Sequence, residues 1–482
     1  MELATEQEPK HTPTEKWGRM LWACGGAMMI FFFNGVAESH TAVLLPRLQE
    51  PDSPIHINAD EMTWIASLGI VGAPVSGVLC GPCVDYFGRK IVVQCYFVVC
   101  ALGYALIGAA SSVYQIYAGR LILSLGIGFE VAGIVYIAEV STVRMRSVLL
   151  SLTYSVLYGG GTLFAYVIGL SLPWNVGSAV FALACVLLFA YESFTPESPP
   201  YLVKNGHTEE AIAASKRLGR SDDQIAQEIR ILERKGEPQQ QVEWRTFLEP
   251  TVWKPFLIIS CFHFLQAVTG VWDTLYYTVD LVTNLGTEYD PYEVSLFLTV
   301  GRSLMASTAG VYFTTRVSRK MAAAISTFSM AVSLLILAVY EKMYEFTSEL
   351  ERPYPLLPIL ALIGAVMASG AGFFFLPMLM SGEVFPLRVR GTMSGAVFFV
   401  GTGSMFLFLK LHVFLVTTLG VWGFCAMWTA ASFITGFYSI FVLTETHGRE
   451  LHEIEDSYRS KNKRTPILKG HRSFKMRRKL TL

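Results

Sequence analysis

Charged residues are scarce in this chain. Only 16% of its 482 residues are Asp, Glu, Lys or Arg, whereas soluble proteins carry about 25%, and 52% of the residues are hydrophobic. This composition excludes a cytosolic enzyme, a nucleic-acid-binding protein and a disordered scaffold, and it leaves a protein that crosses a membrane several times. The 38 basic and 38 acidic residues cancel, so only the positions of the charges are informative.

Several functional signatures are also missing. The polar first sixteen residues lack the basic start and short apolar core of a signal peptide, so we expect the N-terminus to stay cytoplasmic. The chain has no G-x-x-x-x-G-K-[ST] loop for ATP and no nucleophile–base pair or zinc-ligand spacing. We therefore expect neither a primary pump nor an enzyme, and no cofactor or metal. The eight cysteines lie in or beside apolar stretches, which favours reduced side chains over disulfides.

Long apolar stretches dominate what is present. A span of about 20 apolar residues crosses roughly 30 Å of hydrocarbon. Twelve such spans can be placed at approximately 18–46, 62–83, 90–110, 115–140, 148–171, 174–193, 254–284, 292–314, 320–340, 355–381, 391–416 and 419–443. The sequence therefore predicts an all-α membrane protein with twelve transmembrane helices in two six-helix halves.

A polar stretch divides the two groups of spans. It contains TEEAIAASKRLGR and SDDQIAQEIRILERK, both with helical periodicity and mixed charge. The predicted organisation is an N-terminal tail at 1–17, an N-terminal half at 18–193, a helical linker at 194–253, a C-terminal half at 254–443 and a basic tail at 444–482.

The loop charges predict the orientation in the membrane. Basic residues cluster in the loops on the side of the N-terminus, and acidic residues dominate the other side, which is the positive-inside pattern. We therefore expect a multi-pass plasma-membrane protein with both termini in the cytoplasm. Residues 459–479 hold ten Lys or Arg and no acid, which fits either a solvated disordered tail or a segment attracted to anionic lipid.

Charged motifs recur at equivalent inner positions of the two halves. The segment from Glu139 to Arg146 aligns with that from Glu383 to Arg390, and Glu197 corresponds to Glu445. Acids and bases at inner helix ends can pair in one conformation and separate in another. The predicted gating residues are Asp85, Arg89, Glu139, Arg146, Glu197, Arg319, Glu383, Arg390 and Glu445.

These segments resemble known transporter motifs. The run Gly81-x-x-x-Asp85-x-x-Gly88-Arg89-Lys90 resembles the loop signature of the major facilitator superfamily. The segments that resemble its sugar porters are Pro196-Glu197-Ser198-Pro199-Pro200-Tyr201-Leu202, Tyr136-x-x-Glu139, Glu383-x-Phe385-Pro386-x-x-x-Arg390-Gly391 and Thr444-Glu445-Thr446-x-Gly448. Met62-Thr-Trp64-Ile-Ala-Ser-Leu is similar to the insect facilitated trehalose and glucose transporter branch. The resemblance covers nearly the whole chain.

The resemblance implies a substrate site midway across the membrane, with span seven as its main wall. In sugar porters this span carries two glutamines, an asparagine and two tyrosines; here Ala267 and Trp272 replace the second glutamine and the asparagine. Loss of these amides predicts a drier, more aromatic site. The candidate substrate-binding residues are Gln266, Trp272, Asp273, Tyr276, Tyr277, Tyr154, Ser303 and Pro377.

Ionisable residues inside the spans need a partner, a water-filled cavity or a changed protonation state. The candidates are Glu130, His263, Asp273 and Arg302, with Glu38 and His40 near the outer end of span one. Asp273 and Arg302 fit a structural ion pair or a substrate or proton site, and the ion pair is our preferred hypothesis. For Glu38 and His40 we expect an extracellular helix end.

The predicted function is transport of a small organic solute, most directly a sugar such as a hexose or trehalose, by facilitated alternating access. Two alternatives stay open: a proton-coupled transporter of a non-sugar solute, and a non-transporting nutrient sensor. By resemblance, proton-coupled members carry an acid in span one where this chain has Asn34, which favours facilitated transport. The expected partners are the solute and membrane lipid, and no nucleic acid.

Overall fold

The structure is a computed structural model that describes residues 17–234, 244–286, 289–347, 351–386, 389–447, 449 and 451–458. Throughout these residues every regular element is a helix. In the N-terminal half, spans one to six are Trp17–Gln49, Ala59–Phe87, Arg89–Gly108, Val113–Val140, 143–171 and Trp174–Ser193. Within them, short interruptions separate Ala59–Val71 from Ala73–Phe87 and Val113–Ile127 from Glu130–Val140, and a π-helical turn at Thr153–Leu157 joins Val143–Leu152 to Tyr158–Ser171.

The linker and the C-terminal half continue the same pattern. The linker helices are Pro199–Lys204, Thr208–Arg217 and Asp222–Arg234, followed by a 3-10 turn at Trp244–Leu248. Spans seven to ten are 250–284, 291–316, Arg319–Met343 and 356–384, and spans eleven and twelve form one helical run, Arg390–Phe441, that bends at Gly420 with φ 70°. A last helix is Leu451–Tyr458.

Some spans of the C-terminal half are interrupted. Span seven consists of Pro250–Val268, Asp273–Tyr276 and Thr278–Asn284, span eight of Pro291–Met305, a π-helical turn Ala306–Gly310 and Val311–Arg316, and span ten of Leu356–Gly370 and Leu376–Val384. Among the described residues, eight helical runs are long and apolar enough alone to cross a membrane. The run across Gly420 contains two spans, and spans five, eight and ten consist of shorter helices that do not qualify singly, so the expected twelve-span fold is confirmed.

The two halves contact each other at several places. Span two packs against span eleven, and span five packs against span eight. At the end of the bundle opposite the linker, Lys410 Nζ lies 2.7 Å from both Asp60 Oδ1 and Thr63 Oγ1, and 4.1 Å above the Trp64 ring. A buried apolar cluster formed by Ala42, Val43, Tyr166 and Val279 joins spans one, five and seven at the same end. The two halves are therefore in contact at the end away from the linker.

The break in span seven depends on one glycine. Gly270 has φ +79°, and a Cβ at this position would lie 2.2 Å from the Trp428 ring of span twelve. The left-handed backbone is costly for residues with a Cβ, and the close ring leaves no room for one. The turn and the packing of span twelve on span seven therefore both require glycine here.

We expect Gly270→Ala to destabilise the protein strongly. The left-handed backbone costs about 1 kcal/mol with alanine, and forcing a methyl group into a packed interior costs about 1–3 kcal/mol more. Gly206→Ala is the matched control, because Gly206 has φ +81° but no atom within 4 Å of a built Cβ. Thermal unfolding of both purified variants measures the difference. Equal falls in Tm would contradict the role of the Trp428 contact.

Candidate functional site

A small cavity lies between the two halves. It has about 360 Å³ of empty space, most of it too narrow for a water molecule. Tyr158 and Thr162 of span five line one side, and Arg302 and Ser303 of span eight line the other, with Phe374 of span ten between them. Residues from both halves thus surround a site that is nearly closed in this conformation.

The broken spans seven and ten are joined beside this cavity. Gln266 is 1% exposed, and its Nε2 donates to the carbonyl oxygens of Phe373 and Phe374, both at 3.0 Å. These carbonyls belong to the non-helical stretch between the two helices of span ten, where the regular helical hydrogen bonds are interrupted. The amide hydrogens of Gln266 are therefore already used by the protein, which gives this residue a structural contact in addition to any role towards a solute.

Arg302 does not pair with Asp273, so the preferred ion-pair hypothesis is wrong. The Arg302 Nη2 donates to the backbone oxygen and to Oγ1 of Thr274, both at 2.9 Å. Asp273 precedes Thr274 on the same short helix, and consecutive side chains diverge by about 100° around a helix. Asp273 therefore faces span eleven while Arg302 approaches from span eight.

The partner of Asp273 is a histidine that the sequence analysis did not select. His412 Nδ1 lies 2.7 Å from Asp273 Oδ1, and its Nε2 lies 3.8 Å from Asp280 Oδ2. The Tyr277 ring stacks on the imidazole with centroids 4.0 Å apart, and the Tyr277 hydroxyl donates to the Leu409 carbonyl. Asp273 and Tyr277 thus connect span seven to span eleven away from the cavity.

The other candidate substrate residues fall in different environments. Tyr276 is fully buried, and its hydroxyl has no hydrogen-bond partner within the described chain. Trp272 packs against Phe374, with ring centroids 5.1 Å apart, and Pro377 is buried in the first turn of Leu376–Val384. Ser303 lines the cavity. The side chain of Tyr154 lies outside the described part of the structure.

Glu38 and His40 do not form an exposed helix end, which corrects that expectation. They are 7% and 5% exposed, because span one continues to Gln49 and surrounding helices cover this part of it. The Tyr158 hydroxyl donates to the Glu38 carboxylate, and His40 Nε2 lies 3.1 Å from Ser178 Oγ. Glu38 is therefore connected to a residue of the cavity wall.

Arg120 and Glu130 have local partners, whereas the Nε2 of His263 has no hydrogen-bond partner among the described residues. Arg120 donates to the carbonyls of Ile65 and Ala37 at 3.1 and 3.0 Å, and it is 1% exposed. The Asn34 amide donates to Glu130 at 3.0 Å. Arg120 thus links spans one, two and four, in agreement with an architectural role.

At the linker end, three predicted gating residues of the N-terminal half form one cluster. Arg89 Nε and Nη2 donate to the two oxygens of Glu139, both at 2.9 Å. Glu197 accepts from the backbone N–H groups of Arg89 and Lys90, at 3.2 and 3.1 Å. These are the first N–H groups of span three, and they have no partner within the helix. Glu197 therefore caps that span from the loop after span six.

The C-terminal half repeats this cluster. Arg319 Nη2 and Nε donate to Glu383 at 2.9 and 3.3 Å. Glu445 accepts from the backbone N–H groups of Arg319 and Lys320, at 2.9 and 3.3 Å. The expected acid–base pairs thus form within each half. Each cluster connects the linker ends of three helical segments.

The two capping carboxylates differ in their electrostatics. Burial raises the pKa of Glu197, although the N–H groups that it accepts from oppose this shift. Burial also acts to raise the pKa of Glu445, but the N–H groups of His447, Arg319 and Lys320 outweigh it and lower the pKa. Glu445 therefore remains ionised at a lower pH than an ordinary glutamate.

The surroundings of the remaining gating candidates differ from one another. Asp85 is exposed, with its Oδ1 3.6 Å from Arg89 and 3.3 Å from Lys204. The Nε of Arg146 is buried without a hydrogen-bond partner among the described residues. The side chain of Arg390 lies outside the described part of the structure.

Sequence reasoning missed His412, Tyr158 and Thr162. His412 offered a signal, since it is an ionisable residue inside an apolar span. Tyr158 and Thr162 offered none, because one tyrosine and one threonine in an apolar helix do not reveal which face of the helix meets the other half.

The chain is similar to known transporters. The family model described as "Sugar (and other) transporter" matches residues 20–458. The chain belongs to this transporter family. The family assignment confirms the resemblance seen in the motifs and makes the protein a membrane transporter, not an enzyme.

The chain aligns with its curated relatives over almost the full length of both proteins. The mouse protein "Solute carrier family 2, facilitated glucose transporter member 6" is 26% identical, with 94% of each chain covered. The silkworm Bombyx mori "Facilitated trehalose transporter Tret1" is also 26% identical, over 95% of this chain and 90% of the relative. The family's insect trehalose transporters are thus among the relatives, as the motif near Trp64 indicated.

Solved structures share the fold. The Escherichia coli xylose transporter XylE in an inward-open conformation superposes with a TM-score of 0.72 at 16% identity, covering 92% of this chain and all of that one. A proton:xylose symporter XylE structure bound to 6-bromo-6-deoxy-D-glucose gives a TM-score of 0.71. At this identity the likeness establishes the major facilitator fold alone.

We expect His412→Leu to destabilise the protein strongly, because it leaves the buried Asp273 carboxylate without its partner, at a cost of about 3–5 kcal/mol. The double variant His412→Leu with Asp273→Leu should regain most of the lost stability, since an apolar pair replaces the polar one. Thermal unfolding of the purified variants provides the measurement. The control is His412→Leu with Arg302→Gln, which should recover nothing; recovery there, or none in the first pair, would contradict the assignment.

Proposed function

We propose that this family member transports a sugar by facilitated alternating access. The observation that carries the proposal is the cavity between the halves, lined by Tyr158 and Thr162 of one half and by Arg302, Ser303 and Phe374 of the other. A site shared between two halves becomes accessible from either side of the membrane when the halves rock. The named activities of the glucose and trehalose transporter relatives support a sugar as the solute.

The orientation and location belong to the same proposal. We place the linker and both termini in the cytoplasm, because the loops at the linker end carry the basic residues, and we place the protein in the plasma membrane. The halves touch at the opposite end through Lys410 and Asp60, so this conformation is closed towards the outside. The basic segment 459–479 lies outside the described residues, and its attraction to anionic lipid stays a prediction.

We propose that the clusters around Arg89 and Arg319 bias the equilibrium between inward- and outward-facing states. They lie at the linker end, where the halves must separate to release solute inside. The ion pair between Arg319 and Glu383 is partly buried, so its loss destabilises the state that contains it. Typical coupling free energies for such switches are about 1–3 kcal/mol.

Counterflow in proteoliposomes tests the transport proposal. Vesicles that contain the purified protein and are loaded with unlabelled sugar should take up labelled sugar transiently, and protein-free vesicles should not. Glucose, trehalose and xylose cover the sugars named for the relatives. Binding without exchange would instead identify a non-transporting sensor, and accumulation driven only by a pH gradient would identify a proton-coupled carrier.

We expect Glu383→Gln to lower flux several-fold with little change in solute affinity, because it removes the charge that Arg319 meets and does not reach the cavity. Flux and equilibrium binding should be measured on the same purified variant. Glu453→Gln is the matched control, since Glu453 is an exposed glutamate of the last helix, and it should leave both quantities unchanged. A large loss of affinity at unchanged flux would argue against a gating role.

A further inference from the structure

Arg302 has hydrogen-bonding capacity that the protein does not use. It is 8% exposed and lies near the middle of span eight. Its Nη2 meets Thr274, but Nε and Nη1 have no hydrogen-bond partner in the part of the chain that the structure describes. No ion pair joins it to a carboxylate among those residues. Burial of an unpaired charge is costly, so a guanidinium in this position lacks the partner that would stabilise it.

The carboxylate of Glu38 does not supply the missing partner of Arg302. Glu38 lies near enough for its charge to interact with the Arg302 guanidinium, but it accepts its hydrogen bond from Tyr158. The guanidinium instead lies against an aromatic ring, with Cζ 5.8 Å from the Phe374 centroid. Two donors therefore remain for a group that enters the cavity from solution.

The other groups around the cavity suit a hydroxylated ring. The Ser303 and Thr162 hydroxyls donate to backbone carbonyls of their own helices, which leaves their oxygens free to accept from solute hydroxyls. The Phe374 and Phe375 rings supply an apolar wall for the C–H face of a sugar. A solute carboxylate can accept a charge-assisted hydrogen bond from Nε or from Nη1 of Arg302. These two groups point to different sides of the guanidinium, so one carboxylate meets only one of them.

We propose that Arg302 binds the carboxylate of the transported solute, and that this solute is a sugar acid. The inference rests on the proposed transport function and deepens it by naming the substrate class. The single positive charge suits a monoanion. A phosphate dianion would bring a second negative charge towards Glu38, so a sugar phosphate fits the site less well.

Paired ligands test the proposal. D-Glucuronate and D-glucose differ only at C6, where one carries a carboxylate and the other a hydroxymethyl group. Equilibrium binding of both to the purified full chain in lipid nanodiscs should show glucuronate binding about tenfold tighter or more, the effect of one charge-assisted hydrogen bond. Arg302→Gln should bring the two affinities close to each other.

Two further variants complete the design. Arg302→Lys keeps the charge but replaces the fixed planar donors with a flexible ammonium group, so it should retain only part of the preference for glucuronate. Arg316→Gln removes an exposed arginine from the same span and should retain all of it. If Arg302→Gln does not fold, the wild-type preference and its fall in Arg302→Lys decide the question.

Three results would overturn the proposal: glucose binding at least as tightly as glucuronate, a preference that persists in Arg302→Gln, or no binding of either ligand. Counterflow with the same two ligands separates this proposal from the proposed function. Exchange of glucose without preference for glucuronate would support the transport function and contradict the carboxylate site. Preferential binding of glucuronate without exchange would support the carboxylate site and contradict the transport function.

Discussion

Backbone groups inside a membrane must find partners within the protein, because hydrocarbon offers none. A continuous helix meets this demand alone, but spans seven and ten are broken. The free carbonyls of Phe373 and Phe374 accept from Gln266, and the carbonyl of Thr274 accepts from Arg302 and from the Thr278 hydroxyl. The packing of the C-terminal half depends on the Gln266 bonds in particular, since without them the break in span ten would leave two carbonyls unpaired in an apolar interior.

This demand also explains where the cavity lies. A break lets side chains and backbone of one span approach another more closely than intact helices allow. Leu275 of span seven and Phe374 of span ten reach the cavity from the two broken stretches, and the side chains that satisfy the breaks hold both in place. The C-terminal half therefore builds part of its side of the cavity wall from the two broken spans, whereas span five supplies the wall from the other half.

The sequence predicts the spans and the linker-end motifs well, for identifiable reasons. Span length and hydropathy follow from bilayer thickness, and the repeat of Glu139 and Arg146 in Glu383 and Arg390 shows in the order of residues alone. The structure adds the distances that join Arg89 to Glu139 and Arg319 to Glu383. The gating role of these residues remains a proposal.

The central contacts were less predictable. Hydropathy gives the depth of a residue in the membrane but not the direction in which its side chain points. Asp273 and Arg302 lie at similar depth, which made an ion pair reasonable, yet Asp273 faces His412 on span eleven. Asp273 contacts span eleven, whereas the next residue, Thr274, contacts span eight. That information lies in the packing of helices and not in the pattern of one segment.

The two kinds of arginine in this structure differ in what they leave unused. Arg89 donates to both oxygens of Glu139 and to the Val84 carbonyl, so its guanidinium is committed to the fold. Arg302 commits only Nη2. A fold that needs a cation only to satisfy the Thr274 carbonyl could use a neutral amide, as it uses Gln266 for span ten. Retaining a full guanidinium beside the cavity is costly in an apolar interior, and that cost is offset when an anionic solute occupies the free donors.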